Sequence, residues 1–274
     1  MGNLKIVRVP IPTPTLWPHH TTNCYIVGTE KESILVDAGY DQEETKKELE
    51  KVILLTGIAR PKSIILTHSH RDHSPGVNQL LHWDAAVYCH PLELKEIKEA
   101  VSPKNTIFTI EDGFSFEIDS EMITMIHSPG HTRGHLSLYI PSRRTLIAGD
   151  NIVAEGTTWI GRPDGDMSDY LSTLSKLKSF DLEKIGPGHG DWVTKPYEQI
   201  EFVLQRRLQR EDQILSLIKE HLKLNTTSLT NLIYKDSIHP SLFEVAKRTT
   251  EAHLIKLIKD GKIEKSQEGY SPKF

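Results

Sequence analysis

The sequence predicts an α/β chain closed by a small, mostly helical unit, and three observations predict it. Through about residue 190, short β-branched runs edged by Gly, Pro or Asn alternate with helix-spaced stretches. One run, SIILT, is apolar throughout, the pattern of a strand buried on both faces, and it leads straight into HSHRDH. After Pro196 the strand signal fades and amphipathic helices take over.

In order, LKIVRV, NCYIVG and SILVDAG read as strands. DQEETKKELEKVILL reads as a helix with Leu49, Val52 and Ile53 at helical spacing, Asp41 as its N-cap and Gly57 as its stop. SIILT and its His-rich loop are followed by a helical stretch near 76–82, a strand AAVYC, and a helix PLELKEIKEA opened by Pro91. FSFEI, EMITMIHS, HLSLYI and TLIAGD, separated by turns, predict a second, largely antiparallel sheet. The loop EGTTWIGRPDGD precedes a helix DMSDYLSTLSKLK, and KIGPGHG ends a strand in a loop. YEQIEFVLQRRLQREDQILSLIKEHL is one long amphipathic helix; SLTNLIYK and PSLFEVAKRTTEAHLIKLIKDG are two more, the last stopped by Gly261. GKIEKSQEGYSPKF reads as a two-stranded ribbon, so the tail has the outline of a winged helix. The expected domains are 1–200 and 201–274.

Composition narrows the class. With 274 residues, 37% hydrophobic and 26% charged, the chain has enough apolar material for a core, which excludes wholesale disorder. No apolar run approaches the ~20 residues of a membrane helix, so no membrane partner is expected. MGNLKIVRVPIPTPTLWPHH lacks a basic start followed by an apolar stretch and does not read as a secretory signal. Cys24 and Cys89 stand outside any CxxC and read as small core residues, so a reducing, cytoplasmic setting is expected. The net charge of −4 argues against a protein built wholly to grip nucleic acid. Residues 205–274 hold 13 Lys/Arg against 9 Asp/Glu, net +4, and the rest 20 against 28, net −8. That asymmetry fits a basic functional face or a solvated helical tail equally.

Of the 14 histidines, three fall in THSHRDH. His68, His70, Asp72 and His73 follow a buried strand, where α/β sheets present ligands. Imidazole and carboxylate donors suit zinc and similar metals. His68 and His70 alternate in an extended segment and can point the same way, while Asp72 and His73 are displaced toward a second metal. Downstream, His131 in SPGHTRGH, Asp150 in LIAGD and His189 in GPGHG each follow a strand-like run beside Gly. Singly each reads as a turn or strand-end residue; in order they complete two ligand sets.

HSHRDH, PGHT, AGD and GPGHG, in that order, resemble the metallo-β-lactamase superfamily from residue 1 to about 189. The resemblance implies an αβ/βα four-layer sandwich, two mixed sheets face to face with helices outside and a metal site at one edge. Carried over, His68, His70 and His131 hold one metal, Asp72, His73 and His189 the other, and Asp150 bridges them. The implied cofactor is two divalent ions, zinc as a rule, with iron or manganese in some members. Such a pair lowers the pKa of a shared water to roughly 7. The resulting bridging hydroxide attacks an ester-type bond (phosphodiester, thioester or lactone), and Asp72 accepts its hydrogen bond and orients it. At the position of Asp37 the family places a carboxylate that supports the ligand loop; as a bare residue it also reads as a turn or cap. His135 reads as a proton donor behind the ligands, a substrate contact or a strand-start histidine. In the loop 155–166, Trp159 and Arg162 would stack a base or acyl chain and meet an anion, or simply pack as part of a folded loop. His19, His20, His82, His90, His127, His221, His239 and His253 show no partner pattern.

The winged-helix-like tail and the string AGDNIVAEGTTWI look like the beta-lactamase-like protein 2 branch. That resemblance implies a single-stranded RNA substrate or, by its fungal relatives, an acyl-carrier-protein thioester; a homodimer through the long helix is compatible with the pattern. Two alternatives differ in class. A mononuclear-iron sulfur oxidoreductase needs no second set, so Asp72, His73 and His189 argue against it. A nucleic-acid-binding regulatory module with an inactive lactamase domain is opposed by the complete donor set.

Overall fold

This computed structural model describes residues 3–14, 19–235 and 237–273. The first six strands, β1 (Lys5–Pro12), β2 (Thr21–Gly28), β3 (Ser33–Val36), β4 (Ser63–Ile65), β5 (Ala86–Cys89) and β6 (Ile107–Thr109), form one sheet in chain order. β1, β2 and β3 pair antiparallel, and β3 to β6 run parallel. β2, β3 and β4 read apolar because both faces are covered, and the pleat sends alternate residues into two separate cores. Cys24, Ile26, Leu35, Ile64, Val87 and Cys89 face one core. Tyr25, Val27, Ile34, Val36 and Ile65 face the other. Both cysteines are buried and free.

The first core is closed by α1 (Glu43–Thr56), α2 (Leu94–Ala100) and a 3₁₀ helix (Pro75–Trp83), through Leu49, Ile97, Val77, Leu80 and Trp83. Gly57 ends α1 in the left-handed region at φ 68°, as its place in the sequence predicts. The expected N-cap does not form: Gln42 occupies that position. Asp41 instead accepts hydrogen bonds from Asn78 and Gln79 at 2.9 and 2.7 Å, which ties the start of α1 to the 3₁₀ helix.

The second sheet holds β7 (Ser115–Ile118), β8 (Glu121–His127), β9 (Leu136–Ile140), β10 (Thr145–Gly149) and β11 (Lys184–Pro187), ordered β11-β10-β9-β8-β7. It is antiparallel except for the parallel pair β10–β11. Ile123, Met125, Leu136, Leu138, Ile140 and Ile147 turn onto the first sheet's inner core, which makes a sandwich.

Packing divides the chain differently from the consecutive segments 1–200 and 201–274. One unit comprises Met1–Ser128, Gly134–Gly156 and Phe180–Tyr197; the other comprises Pro129–Arg133, Thr157–Ser179 and Glu198–Phe274. The second unit contains α3 (Met167–Leu177), most of α4 (Pro196–His221), α5 (Thr226–Tyr234), α6 (Phe243–Lys259) and the ribbon β12 (Ile263–Lys265) and β13 (Tyr270–Pro272). It reaches back in sequence because α3 and its preceding loop bond to the C-terminal helices. Lys259 meets Asp166, the N-cap of α3, at 2.7 Å, and buried Arg207 donates to the Thr158 carbonyl. Ile214, Ile218, Leu229, Leu254, Leu257 and Ile263 form the unit's own core.

His253 lies within this unit, fully buried, and neither ring nitrogen finds a hydrogen-bond partner among the described residues. Burial first, and then the charges of Arg207, Arg210 and Lys256, push its imidazole down to about 3. An unfolded histidine titrates near 6.5, so between these values the unfolded chain binds the extra proton. Stability should therefore be intact above about 6.5 and fall as pH drops toward about 3. His253→Leu is expected to flatten that slope in urea melts taken across acid and neutral pH; an unchanged slope would refute the assignment.

Candidate metal centre

The donors collect where strands end. Asp37 follows β3, 67–73 follow β4, Asp150 follows β10 and His189 follows β11. His68, His70, His131 and Asp150 each offer one ligand atom, all within 4.8 Å of one another, and Asp72, His73 and His189 do the same as a second group. His68 and His73 are wholly buried, and His131, Asp150 and His189 nearly so.

His68, His73, His131 and His189 are each held by Nδ1 so that Nε2 turns inward, and His70 Nδ1 lies 3.0 Å from His68 Nε2. His73 Nδ1 donates to Asp37 Oδ2 at 2.7 Å, and His189 Nδ1 donates to the Thr21 carbonyl at 2.9 Å. His131 Nδ1 donates to the Trp159 carbonyl at 2.8 Å, and His68 Nδ1 meets Thr67 Oγ1 at 2.9 Å. The inner atoms of His73 and His189 then face oxygen. His73 Nε2 lies 3.5 Å from Asp72 and 3.2 Å from Asp150; His189 Nε2 lies 3.3 Å from each. With Nδ1 protonated, a neutral imidazole presents a lone pair at Nε2, and a lone pair facing two carboxylates is repulsive. The geometry calls for positive charge at that point, either a second proton or a cation.

The titration of these groups reports the same need. Burial by itself lowers His73 and His189, but Asp150 and Asp72 overcome it, holding His73 well above its ordinary range and His189 up to about 10. Burial acts to raise Asp72 and Asp150, and His73 and His189 drive both below the usual carboxylate range. A buried and a half-buried carboxylate against imidazoles with anchored Nδ1 atoms form a donor set for a divalent cation. The residues present fit the group that the sequence implies.

Asp37 carries the ligand loop. Its carboxylate accepts from the Thr67 amide at 2.7 Å, from Thr67 Oγ1 at 2.9 Å and from His73. It does so from a positive φ of 58°, a conformation that Asp tolerates better than most residues. His135 is fully buried. Its Nδ1 accepts from Asn151 at 2.9 Å, and its ring stacks on His68 with centroids 5.3 Å apart. Trp159 is half-buried, with its indole N–H on the Val245 carbonyl at 3.2 Å. Arg162 is exposed and lines a groove of about 590 Å³ with Asn225, Glu251, Lys265 and Glu268.

Other supports carry little sequence signal. Thr22 Oγ1 donates to Asp72 Oδ2 at 2.9 Å. Glu93, 3% exposed, accepts from the Ser69 amide at 3.0 Å, from Ser69 Oγ at 2.6 Å and from the Gly134 amide at 2.8 Å. His19, which showed no partner pattern, stacks on His189 with centroids 5.0 Å apart. Thr67 and Asn151 stand inside THSHRDH and AGDN, but the sequence assigns them no role, and Glu93 and Thr22 lie outside every motif.

Gly188 leaves the space that Asp150 fills. A Cβ there would lie 1.9 Å from Asp150 Oδ1. Gly188→Ala is expected to displace that carboxylate, lowering kcat/KM by tenfold or more and stability by about 1–3 kcal/mol. Wild-type values of both would contradict this packing.

The chain matches the metallo-beta-lactamase superfamily over residues 17–189 and the beta-lactamase-associated winged helix domain over 226–270. It is 31% identical over 245 residues to a beta-lactamase-like protein 2 homolog of Caenorhabditis elegans, covering 89% of this chain and 80% of that protein. It is 26% identical over 277 residues to an atrochrysone carboxyl ACP thioesterase of a Cryptosporiopsis species, covering 94% and 81%. In structure it is similar to a metallo-beta-lactamase family protein from Thermus thermophilus, with TM-score 0.81, 20% identity and 97% and 98% coverage. Among the described residues no helix is long and apolar enough to cross a membrane. With the ordered motifs, the two-sheet sandwich and the helical tail in agreement, the chain belongs to the metallo-beta-lactamase superfamily and carries that family's associated winged helix.

Proposed function

We propose that this protein is a dinuclear metal-dependent hydrolase, with zinc as its metal, acting on a thioester. The observation that carries the hydrolase reading is the pair of donor groups that meet at Asp72 and Asp150. His68, His70, His131 and Asp150 would hold one ion, and Asp72, His73 and His189 with Asp150 the other. When bound, such ions supply Lewis acidity toward a carbonyl oxygen and toward water.

The chain's own groups do the rest. Asp37, Thr21 and Trp159 fix the imidazoles by their far nitrogens, so the inner atoms need no reorientation. Thr22 restrains one oxygen of Asp72, which leaves the other to accept a hydrogen bond from the attacking water and orient it. A complete second group also speaks against a single-iron sulfur oxidoreductase. The thioester is favoured over RNA and lactone because a relative aligned across 94% of this chain is named as an ACP thioesterase.

The test is metal content followed by a panel of an acyl thioester, single-stranded RNA and an acyl lactone. About two equivalents of divalent ion, with thioester turnover lost to chelator and restored by zinc, would support the proposal. A metal-free active protein would overturn it, and cleavage of RNA alone would replace the substrate.

A further inference from the structure

The loop that carries His131 is built almost wholly from the second unit. Its residue Pro129 accepts from Thr173 Oγ1 of α3 at 2.7 Å, and the Gly130 carbonyl accepts from the Asp166 amide at 2.9 Å. Gly130 lies so close to α3 that a Cβ there would sit 2.3 Å from Tyr170 Cα. The His131 ring is then turned by one bond, Nδ1–H to the Trp159 carbonyl at 2.8 Å. A carbonyl only accepts, so this bond selects the tautomer that leaves Nε2 as a lone pair.

That carbonyl is itself held from both sides. The Trp159 indole N–H donates to the Val245 carbonyl on α6 at 3.2 Å. One residue earlier, the Thr158 carbonyl accepts from Arg207 Nη2 on α4. Arg207 is 7% exposed, and burying a guanidinium is costly unless its hydrogen bonds do something specific. Its plane also lies over the Tyr170 ring, 5.8 Å from the centroid, on the helix that holds Pro129.

We infer that Trp159 and Arg207 are positioning residues that set the tautomer and direction of the His131 imidazole. The inference rests on the metal reading only for its effect on affinity, because the tautomer is measurable without metal. A family ligand in PGHT is thereby made to depend on two side chains that neither contact a cation nor belong to a ligand motif.

The experiment uses the full chain stripped of metal. Nitrogen-15 NMR of the histidine rings should show His131 as the Nδ1–H form in wild type. In Trp159→Phe, which removes the anchoring N–H and narrows the ring, His131 should become a tautomer mixture while His189 is unchanged. Titration with Co²⁺, followed by its visible absorption, should show one of two equivalents weakened by about 10–100-fold. That equivalent should be the one His131→Ala abolishes, and Trp159→Phe should shift the remaining equivalent less than about twofold in the His131→Ala background. Arg207→Lys should act in the same direction. A wild-type tautomer and two wild-type affinities in both variants would overturn the inference, as would a lowered Tm with tautomer and affinities intact. No Co²⁺ uptake by wild type would sink the metal reading, while the tautomer shift would still support the anchoring.

Discussion

Alanine in place of Asp150 is expected to lower turnover by more than about a hundredfold, beyond the ten- to hundredfold typical of losing a group that merely supports a ligand. Asp150 Oδ1 stands 3.2 Å from His73 Nε2 and 3.3 Å from His189 Nε2, and the same residue belongs to the four-donor group with His68, His70 and His131. Asp150 thus belongs to one donor group while its Oδ1 faces two histidines of the other. Removing it strips both proposed ions of a shared negative charge. Metal content should therefore fall at both positions at once, whereas His131→Ala should empty one. Steady-state kinetics with metal analysis would read this, and an Asp150→Ala protein retaining two equivalents and full turnover would end the assignment.

Asparagine at Asp37 is expected to weaken metal binding by about 10–100-fold without comparable loss of fold. The carboxylate accepts three hydrogen bonds, two from Thr67 and one from His73. An amide of the same shape can accept at only one end and presents N–H to a donor at the other. Asn also tolerates the φ of 58°, so the backbone should hold where alanine would strain it. Thermal melts of the metal-free protein should separate the two: Asp37→Asn close to wild type, Asp37→Ala lower. Equal metal affinity in wild type and Asp37→Asn would show that the His73 ring is held by other means.

Much of the sandwich was legible because its strands are covered on both sides, and SIILT or NCYIVG then advertise burial without ambiguity. His68, His70, Asp72 and His73 were legible because four donors crowd a single loop. His131, Asp150 and His189 followed from their order beside glycines. What escaped came from long sequence separations. Glu93 reaches across 24 residues to Ser69 and 41 to Gly134, and nothing local marks it. Asp41 looked like a cap because caps are local, yet Asn78 and Gln79, 37 and 38 residues away, claim its oxygens. Trp159 read either as a substrate-facing ring or as a packed loop residue, and its indole N–H bonds to α6, a partner set by tertiary packing.

The second unit is threaded through the chain in three separate passages, which decides what can be made apart. A ribosome that stopped at residue 200 would release α3 with no Lys259 to hold Asp166 and no guanidinium over Tyr170. Met167, Tyr170, Leu171, Leu174 and Leu177 are buried in the whole protein. Gene fusion or splitting at the apparent linear border would thus sever a cooperative body rather than separate two modules.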